Sequence, residues 1–304
     1  MLRKPLWSVK ICLMVRRHDR YNASMNDRVR FPIVAGTFYP SQPHQLRDQI
    51  SGFLGDEALS TQESLSSSMG LVVPHAGYVY SGSVAATGFQ EVARRGRPEV
   101  VVILGASHTG IDPWFSLSPH SAWETPLGQS PVDADMTFQL RAAGYQQAEA
   151  PFEREHSIEV QLPFIQHLWG VETAIVPICI APGPLPELLK AARALVQALG
   201  DRKALFVASS DFTHYQPDNV ARSLDKRALD RILALDVPGF EQLCRNEHLT
   251  ICGAGAIAML MTIALDIGLD ATRIVRYATS GDVTGDLSSV VGYASVLLTK
   301  ENYG

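Results

Sequence analysis

Short apolar runs alternate along the chain with longer segments in which apolar residues recur at helical spacing. The apolar runs predict buried strands at 71–74, 99–104, 173–180 and 204–208, with others near 114–118, 273–279 and 289–298. The longer segments predict helices near 82–95, 133–143, 156–169, 185–199, 217–235, 238–245 and 254–267. Strands that alternate with helices are typical of βαβ units. We therefore predict a single α/β domain with a central, mainly parallel sheet flanked by helices.

Polar side chains follow three of the predicted strands. His75 comes directly after the first strand and His108 after the second, while the strand at 204–208 leads into Asp211 and His214. In open α/β sheets, ligands bind in the crevice at the carboxyl ends of the strands. The pattern therefore predicts a metal or catalytic site, although a single histidine in such a place is more often a hydrogen-bonded core residue.

A thiol precedes the long apolar helix predicted at 254–267. Cys252 stands at or near the N-terminus of this helix, a position that lowers the pKa of a thiol and favours the thiolate that binds metals. The alternative is an inert buried cysteine, since free cysteines are among the most buried residues. The chain has four cysteines, too few and too scattered for a disulfide scaffold of this length, which favours a reducing cytoplasm.

Two further polar segments carry alternative interpretations. In the segment 155–164, a helix would place Glu155 and Glu159 on one face with His156 beside them, or the acids would only complement the helix dipole. In the segment 209–215, Asp211 is either a helix cap or the group that orients His214 as an acid/base imidazole.

Composition and charge limit what the site can belong to. The chain has 304 residues, is 46% hydrophobic and carries a formal net charge of −5, which predicts a globular protein and argues against a nucleic-acid groove. The apolar segment 254–265 is shorter than the roughly 20 residues that cross a bilayer, so no membrane association is expected. Residues 1–24 hold six basic side chains and one acidic. We expect them to lie outside the core as an extension, with the folded domain at 25–304.

Five ordered motifs resemble those of the Memo family. They are Pro74-His75-Ala76-Gly77-Tyr78 with Ser81-Gly82, Ile103-Leu104-Gly105-Ala106-Ser107-His108, Glu155-His156-Ser157-Ile158-Glu159 with Leu162-Pro163-Phe164, Ser209-Ser210-Asp211-Phe212-Thr213-His214, and Ile251-Cys252-Gly253. The likeness runs from about Phe31 to Leu298. The family resembles class III extradiol dioxygenases in fold and is similar to bacterial proteins called AmmeMemoRadiSam system protein B.

This resemblance implies a metal pocket. The family's ligands map onto His75, His108 and Cys252, with Asp211, His214 and His156 around them, and the resemblance implies iron or copper with redox activity. Two imidazoles and a thiolate suit Fe(II), Cu or Zn and disfavour Mg and Ca. The related dioxygenases use an acid as the third ligand, so ring cleavage does not follow from the fold. The chain departs from many relatives at Ala106, Thr109 and Ala254-Gly255.

Three functions follow as hypotheses. The first is a metal-dependent oxidoreductase in which His214, oriented by Asp211, is the acid/base and His156 is a further catalytic residue. The second is a non-enzymatic module that binds a peptide or protein in the same crevice, with Tyr78, Tyr80 and Trp123 as aromatic contacts. The third is a hydrolase or transferase with Cys252 as nucleophile and His214 and Asp211 as its base and orienter. An unknown small molecule or peptide is the expected ligand, and a radical-SAM enzyme with its companion protein would be pathway partners.

Overall fold

A computed structural model describes residues 28–55, 63–110 and 113–301 of the chain. The extension expected at 1–24 lies outside the described residues. No helix of the described part is long and apolar enough to cross a membrane.

The helices and strands follow one another largely as the sequence predicts. The helices are Pro43–Leu54 (α1), Tyr78–Ala93 (α2), Ala134–Ala142 (α3), Leu162–Trp169 (α4), Leu185–Leu199 (α5), Asp218–Leu233 (α6), Val237–Asn246 (α7), Ala254–Ile267 (α8) and Gly281–Thr284 (α9). The strands are Val29–Arg30 (β1), Met69–Val73 (β2), Val100–Ala106 (β3), Phe115–Leu117 (β4), Ala122–Thr125 (β5), Gly128–Pro131 (β6), Gln146–Gln147 (β7), Ile175–Ile180 (β8), Ala204–Ser209 (β9), His214–Gln216 (β10), Ala271–Thr279 (β11) and Val290–Thr299 (β12).

The large sheet has the order β10-β12-β2-β9-β3-β8-β4-β7, and β11 pairs with β12. Its centre is parallel, because β2 pairs with β9, β9 with β3, and β3 with β8 in the same direction. Strands β12 and β4 run antiparallel to this centre. The predicted α/β fold with a mainly parallel central sheet is thus confirmed.

Helices cover both faces of this sheet because successive side chains of a strand point to opposite sides. On β2, Val72 packs into a core that contains residues of α5 and α8, while Leu71 and Val73 pack with residues of α2 and α4. Strands buried on both faces read as continuous apolar runs, which is why these strands stand out in the sequence.

The structure differs from the sequence prediction in the start of one helix and in several additional elements. The helix predicted at 156–169 begins only at Leu162, with Pro163 in its first turn, and is preceded by a 3-10 turn at Glu159–Gln161. Helix α1 and the small sheet β1-β5-β6 were not predicted. The short elements β7, β10 and α9 were not predicted either.

Candidate metal centre

Three histidines converge at the carboxyl end of the central strands. His75 follows β2 and His108 follows β3, and both strands pair with β9 between them. His156 comes from the loop before α4, and its ring stacks on that of His108 with centroids 4.6 Å apart. Each of the three offers one ligand atom, and these atoms all lie within 4.8 Å of one another. The site therefore brings three imidazoles to one point.

Hydrogen bonds fix which nitrogen of His75 faces this point. Ser209 Oγ donates to the backbone oxygen of Ser157 at 2.6 Å and accepts from Gln161 Nε2 at 2.8 Å. The hydroxyl has a single hydrogen, so its contact with His75 Nδ1 at 3.0 Å requires that Nδ1 donate. The lone pair of His75 is therefore on Nε2, which faces Cys252.

His108 is held in the same way by a carboxylate. Its Nδ1 lies 3.0 and 3.1 Å from the two oxygens of Glu155, and its backbone N–H donates to Glu155 at 2.8 Å. The same carboxylate accepts the backbone N–H groups of His156 and Ser157 at 2.9 and 2.8 Å. An acceptor on one ring nitrogen leaves the other free, which is the arrangement that metal-binding histidines adopt.

Cys252 lies beside His75 and is not part of the group formed by the ligand atoms of the three histidines. Its Sγ is 3.1 Å from His75 Nε2, and the backbone N–H of Asp211 donates to it at 3.1 Å. Gly253 allows this approach, since a Cβ there would stand 2.5 Å from the backbone oxygen of Ser209. Burial raises the pKa of the free thiol, as does the charge of Asp211, which is opposite to the direction expected for a helix N-terminus. Desolvation of the thiol outweighs the hydrogen bonds with Asp211, Ser210 and Gly253, which lower its pKa.

The loop that carries Glu155 and His156 is packed tightly against strand β3. A Cβ at Gly105 would overlap the side chains of Ser157 and Ile158, so the glycine is what lets the loop approach the strand. Ser157 Oγ donates to the backbone oxygen of Ala106 at 2.9 Å. These contacts fix His156 against His108.

A buried ion pair anchors the other side of this loop. Arg30 Nη1 lies 2.8 Å from Glu159, and its Nη2 donates to the backbone oxygens of Phe152 and Glu155. The guanidinium carbon is 4.1 Å from the ring centroid of Trp123. Glu155 and Glu159, expected on one face of a helix, thus point to different partners because the segment is not helical.

Asp211 and His214 have separate partners. Asp211 Oδ1 accepts the backbone N–H of His75 at 2.8 Å, and burial raises the pKa of this carboxyl. His214 Nδ1 donates to the backbone oxygen of Thr250 at 2.8 Å. Among the hydrogen bonds of the described residues none joins Asp211 to His214, so the expected orienting pair is replaced by Thr250. The reason is that Asp211 faces the loop after β2.

The charges of the site follow from its burial. Desolvation, with the charge of neighbouring histidines, lowers the pKa of His75 to about 3 and that of His156 to about 4. The hydrogen bond to Glu155 raises the pKa of His108. Although burial alone raises the pKa of Glu155, the hydrogen bonds and charge of His108 and the N–H of Ser157 lower it to about 2. The pocket therefore favours the neutral imidazoles of His75 and His156 and the ionised carboxylate of Glu155.

Glu155, Ser209 and Thr250 are site residues that the sequence did not predict. Glu155 could have been found from its place next to His156, and Ser209 from its place as the first polar residue after a buried strand. Thr250 holds His214 twice, because its hydroxyl accepts the backbone N–H of His214 at 2.7 Å and its backbone oxygen accepts from Nδ1, and its place in the sequence does not indicate either contact.

A family model described as Memo-like protein matches residues 30–297, the range that contains every residue of this site. The chain belongs to the Memo family. A MEMO1 family protein of Methanopyrus kandleri is 38% identical over 280 residues, covering 89% of this chain and 99% of the relative. A MEMO1 family protein of Desulfurococcus amylolyticus is 40% identical over 280 residues, covering 88% and 98%.

A solved structure supports the fold of this Memo-family chain. An uncharacterised protein of Escherichia coli K12 superposes with a TM-score of 0.50 at 14% sequence identity, and the match covers 76% of this chain and 99% of the other. At this identity the likeness concerns the fold alone. The fold class implied by the resemblance, an extradiol dioxygenase-like α/β domain, is confirmed.

Proposed function

We propose that this protein binds a transition-metal ion through Nε2 of His75, Nε2 of His108 and the thiolate of Cys252, and that it works as a metal-dependent oxidoreductase. The observation that carries the proposal is the orientation of the two imidazoles. Each has its Nδ1–H engaged by a fixed acceptor, so both Nε2 lone pairs are free, and Cys252 Sγ lies 3.1 Å from one of them.

The donor set fits a borderline or soft metal. Imidazole nitrogens and a thiolate suit Fe(II), Cu and Zn, whereas Mg and Ca require oxygen ligands. The N–H of Asp211, which points at Cys252 Sγ, favours the charged sulfur. Bound iron or copper would supply one-electron redox chemistry, and bound zinc would supply Lewis-acid chemistry.

The remaining residues have roles that follow from their contacts. Glu155 holds His108, and Ser209 holds His75, each by an acceptor on Nδ1. His156 forms a wall of the pocket by its stacking on His108, and it is the candidate for a further ligand. His214 donates from Nδ1 to Thr250, so its Nε2 is free to accept a proton as the acid/base.

Metal content of purified variants tests the ligand assignment. His75→Ala, His108→Ala and Cys252→Ala are each loaded with Fe(II), Cu(II) or Zn(II), desalted and measured by mass spectrometry. We expect about one metal ion per chain in the unaltered protein and an affinity loss of at least about tenfold in each variant. His44→Ala is the matched control, because His44 is exposed on α1. Undiminished metal in all three variants contradicts the proposal.

His156→Ala distinguishes Cys252 from His156 as the third metal ligand. If Cys252 completes the site, His156→Ala retains most of the metal, whereas Cys252→Ala loses it. The reverse order assigns the third position to His156 and places the thiol outside the ligand set.

A second candidate is a hydrolase or transferase with Cys252 as nucleophile. The 3.1 Å contact between Cys252 and His75 favours it, with His75 and not His214 as the base. The raised pKa of the thiol weighs against this function. Alkylation of the metal-free protein with iodoacetamide at pH 7 decides between them. Rapid labelling of Cys252 that is abolished in His75→Ala supports the nucleophile, and slow labelling in both proteins supports the metal ligand.

A further inference from the structure

His120 is a buried histidine outside the metal centre. It stands in the loop between β4 and β5 and is 8% exposed. Its Nδ1 lies 3.1 Å from Ser118 Oγ, and its Nε2 lies 3.3 Å from Glu149 Oε1. Because each ring nitrogen either donates or accepts according to the protonation state, the contacts of such an imidazole depend on pH.

The hydroxyl of Ser118 determines which nitrogen of His120 carries the hydrogen. Ser118 Oγ accepts Trp123 Nε1–H at 2.9 Å and the backbone N–H of His120 at 3.3 Å. These two donors occupy both lone pairs of the oxygen, so its single hydrogen is donated to Nδ1 of His120. Neutral His120 therefore accepts at Nδ1 and carries its own hydrogen on Nε2, which faces Glu149.

A second ring proton does not fit this arrangement. Protonated His120 is a donor at Nδ1, so three N–H groups would face the two lone pairs of Ser118 Oγ. One of these N–H groups would lose its acceptor, and the hydroxyl hydrogen of Ser118 would lose His120. Buried polar groups without a partner are costly. The protonated ring therefore turns away from Ser118 towards Glu149, whose side chain is 43% exposed.

Three charged side chains act on this protonation. Burial lowers the pKa of His120, the charge of Glu149 raises it, and the charges of Arg30 and Arg28 lower it. The carboxylate comes from the residue before the 3-10 turn at Ala150–Phe152, and both guanidinium groups come from the start of the described chain. The net direction is a lowered pKa, so the imidazole is neutral at pH 7 and gains its proton below the usual value of about 6.5.

Trp123 connects this histidine to the loop of the metal centre. Its side chain is fully buried, and the guanidinium carbon of Arg30 lies 4.1 Å from its ring centroid. Arg30 and Trp123 are also paired neighbours on β1 and β5. Arg30 Nη2 donates to the backbone oxygen of Glu155 at 2.8 Å, and the carboxylate of Glu155 holds His108. A continuous series of contacts therefore joins His120 to the metal centre.

We propose that His120 is a proton-sensitive switch that acts through Trp123 and Arg30 on the loop at 150–161. At neutral pH the Ser118 hydroxyl is fully bonded and fixes the indole N–H of Trp123. On acidification the His120 ring leaves Ser118, and the hold of Trp123 on Arg30 weakens. Coupling between two sites requires an element with two arrangements that both sites bias, and this buried group supplies one. The effect on metal binding rests on the proposed function, whereas the effect on Trp123 does not.

NMR spectroscopy of the metal-free protein tests the switch. The ¹⁵N shifts of the His120 ring at pH 8 should show the lone pair on Nδ1, and the indole N–H resonance of Trp123 should move as the pH falls from 8 to 5. His120→Asn should abolish this movement, because asparagine offers an acceptor oxygen to Ser118 but does not titrate. His167→Asn is the matched control, since His167 is also partly buried with a pKa that burial lowers, but lies on α4.

A lone pair on Nε2 of His120, an indole resonance that does not move, or equal movement in His120→Asn overturns the switch. Competition for Zn(II) against a chelator at pH 7 and pH 5.5 tests the link to the metal centre. Over this interval the unaltered protein should lose at least about twofold more affinity than His120→Asn, and equal losses overturn the link. An unaltered protein that binds no zinc at pH 7 refutes the proposed function instead. The indole titration still decides the switch in that case, so the two failures are distinguishable.

Discussion

Replacement of Glu155 by glutamine tests how far one buried carboxylate organises the metal centre. The carboxylate accepts the backbone N–H groups of His108, His156 and Ser157 at 2.8–2.9 Å and the Nδ1–H of His108 at 3.0 Å. An amide of the same shape has one acceptor oxygen, so its NH₂ group must face at least one of these donors. Loss of such a partner lowers metal affinity about 10- to 100-fold, or about 1.4–2.7 kcal/mol.

The assay is competition for Zn(II) against a chromophoric chelator at pH 7, with the unfolding midpoint in urea measured on the same preparations. Glu159→Gln is the matched control, since this carboxylate is equally buried and accepts from Arg30, Tyr39 and the N–H of Ile33. We expect Glu159→Gln to lower stability and leave the zinc affinity of the folded protein within about threefold. Equal zinc affinity in Glu155→Gln and the unaltered protein refutes the role given to Glu155.

Three further outcomes are expected. Tyr215→Gly should raise the free energy of unfolding in urea by about 1 kcal/mol, because glycine relieves the strain at φ of 60°; a lower stability contradicts this. Arg30→Met should lower the free energy of unfolding by about 3–5 kcal/mol, because it leaves the buried carboxylate of Glu159 without its ion-pair partner. An unchanged free energy of unfolding would show that water reaches this carboxylate. Metal-free protein should lose on the order of 2 kcal/mol for each of His75 and His156 between pH 7 and pH 5.

The sign of this pH dependence follows from the two histidines. Their pKa values lie at about 3 and 4 in the folded protein, below the usual value of 6.5, so the unfolded chain binds more protons as the pH falls below 6.5. Stability is therefore full above this value and declines toward pH 4. Equal stability at pH 7 and pH 5 would show that both imidazoles stay accessible to water.

The parts of the site that lie at strand ends could be predicted from the sequence. His75 and His108 follow apolar runs that are buried on both faces, and parallel neighbours bring their carboxyl ends together. Cys252 could be placed near a helix N-terminus because the long apolar helix α8 begins two residues after it. These positions could be predicted because each side chain stands at the end of a regular strand or helix, and the apolar pattern of the sequence shows where that element ends.

The irregular parts could not be predicted. The stretch 155–161 has polar and apolar residues at helical spacing, but Glu155 bonds to His108 and Glu159 to Arg30, so tertiary contacts replace a helical turn. The place of Cys252 at or near the helix N-terminus suggested a lowered thiol pKa, and burial raises the pKa instead. Thr250 orients the ring of His214 through its backbone oxygen and holds the His214 backbone through its hydroxyl, a pairing across 36 residues that no local pattern reveals.

X-ray absorption spectroscopy of the zinc-loaded protein tests the proposed ligand set most directly. With His75, His108 and Cys252 as ligands, the spectrum should contain a sulfur scatterer at about 2.3 Å and imidazole nitrogens at about 2.0–2.1 Å. Cys252→Ser should remove the sulfur contribution, while the Cys244→Ser control should retain it, because Cys244 lies on α7 away from the histidines. A shell of nitrogen and oxygen alone in the unaltered protein would contradict the assignment of Cys252.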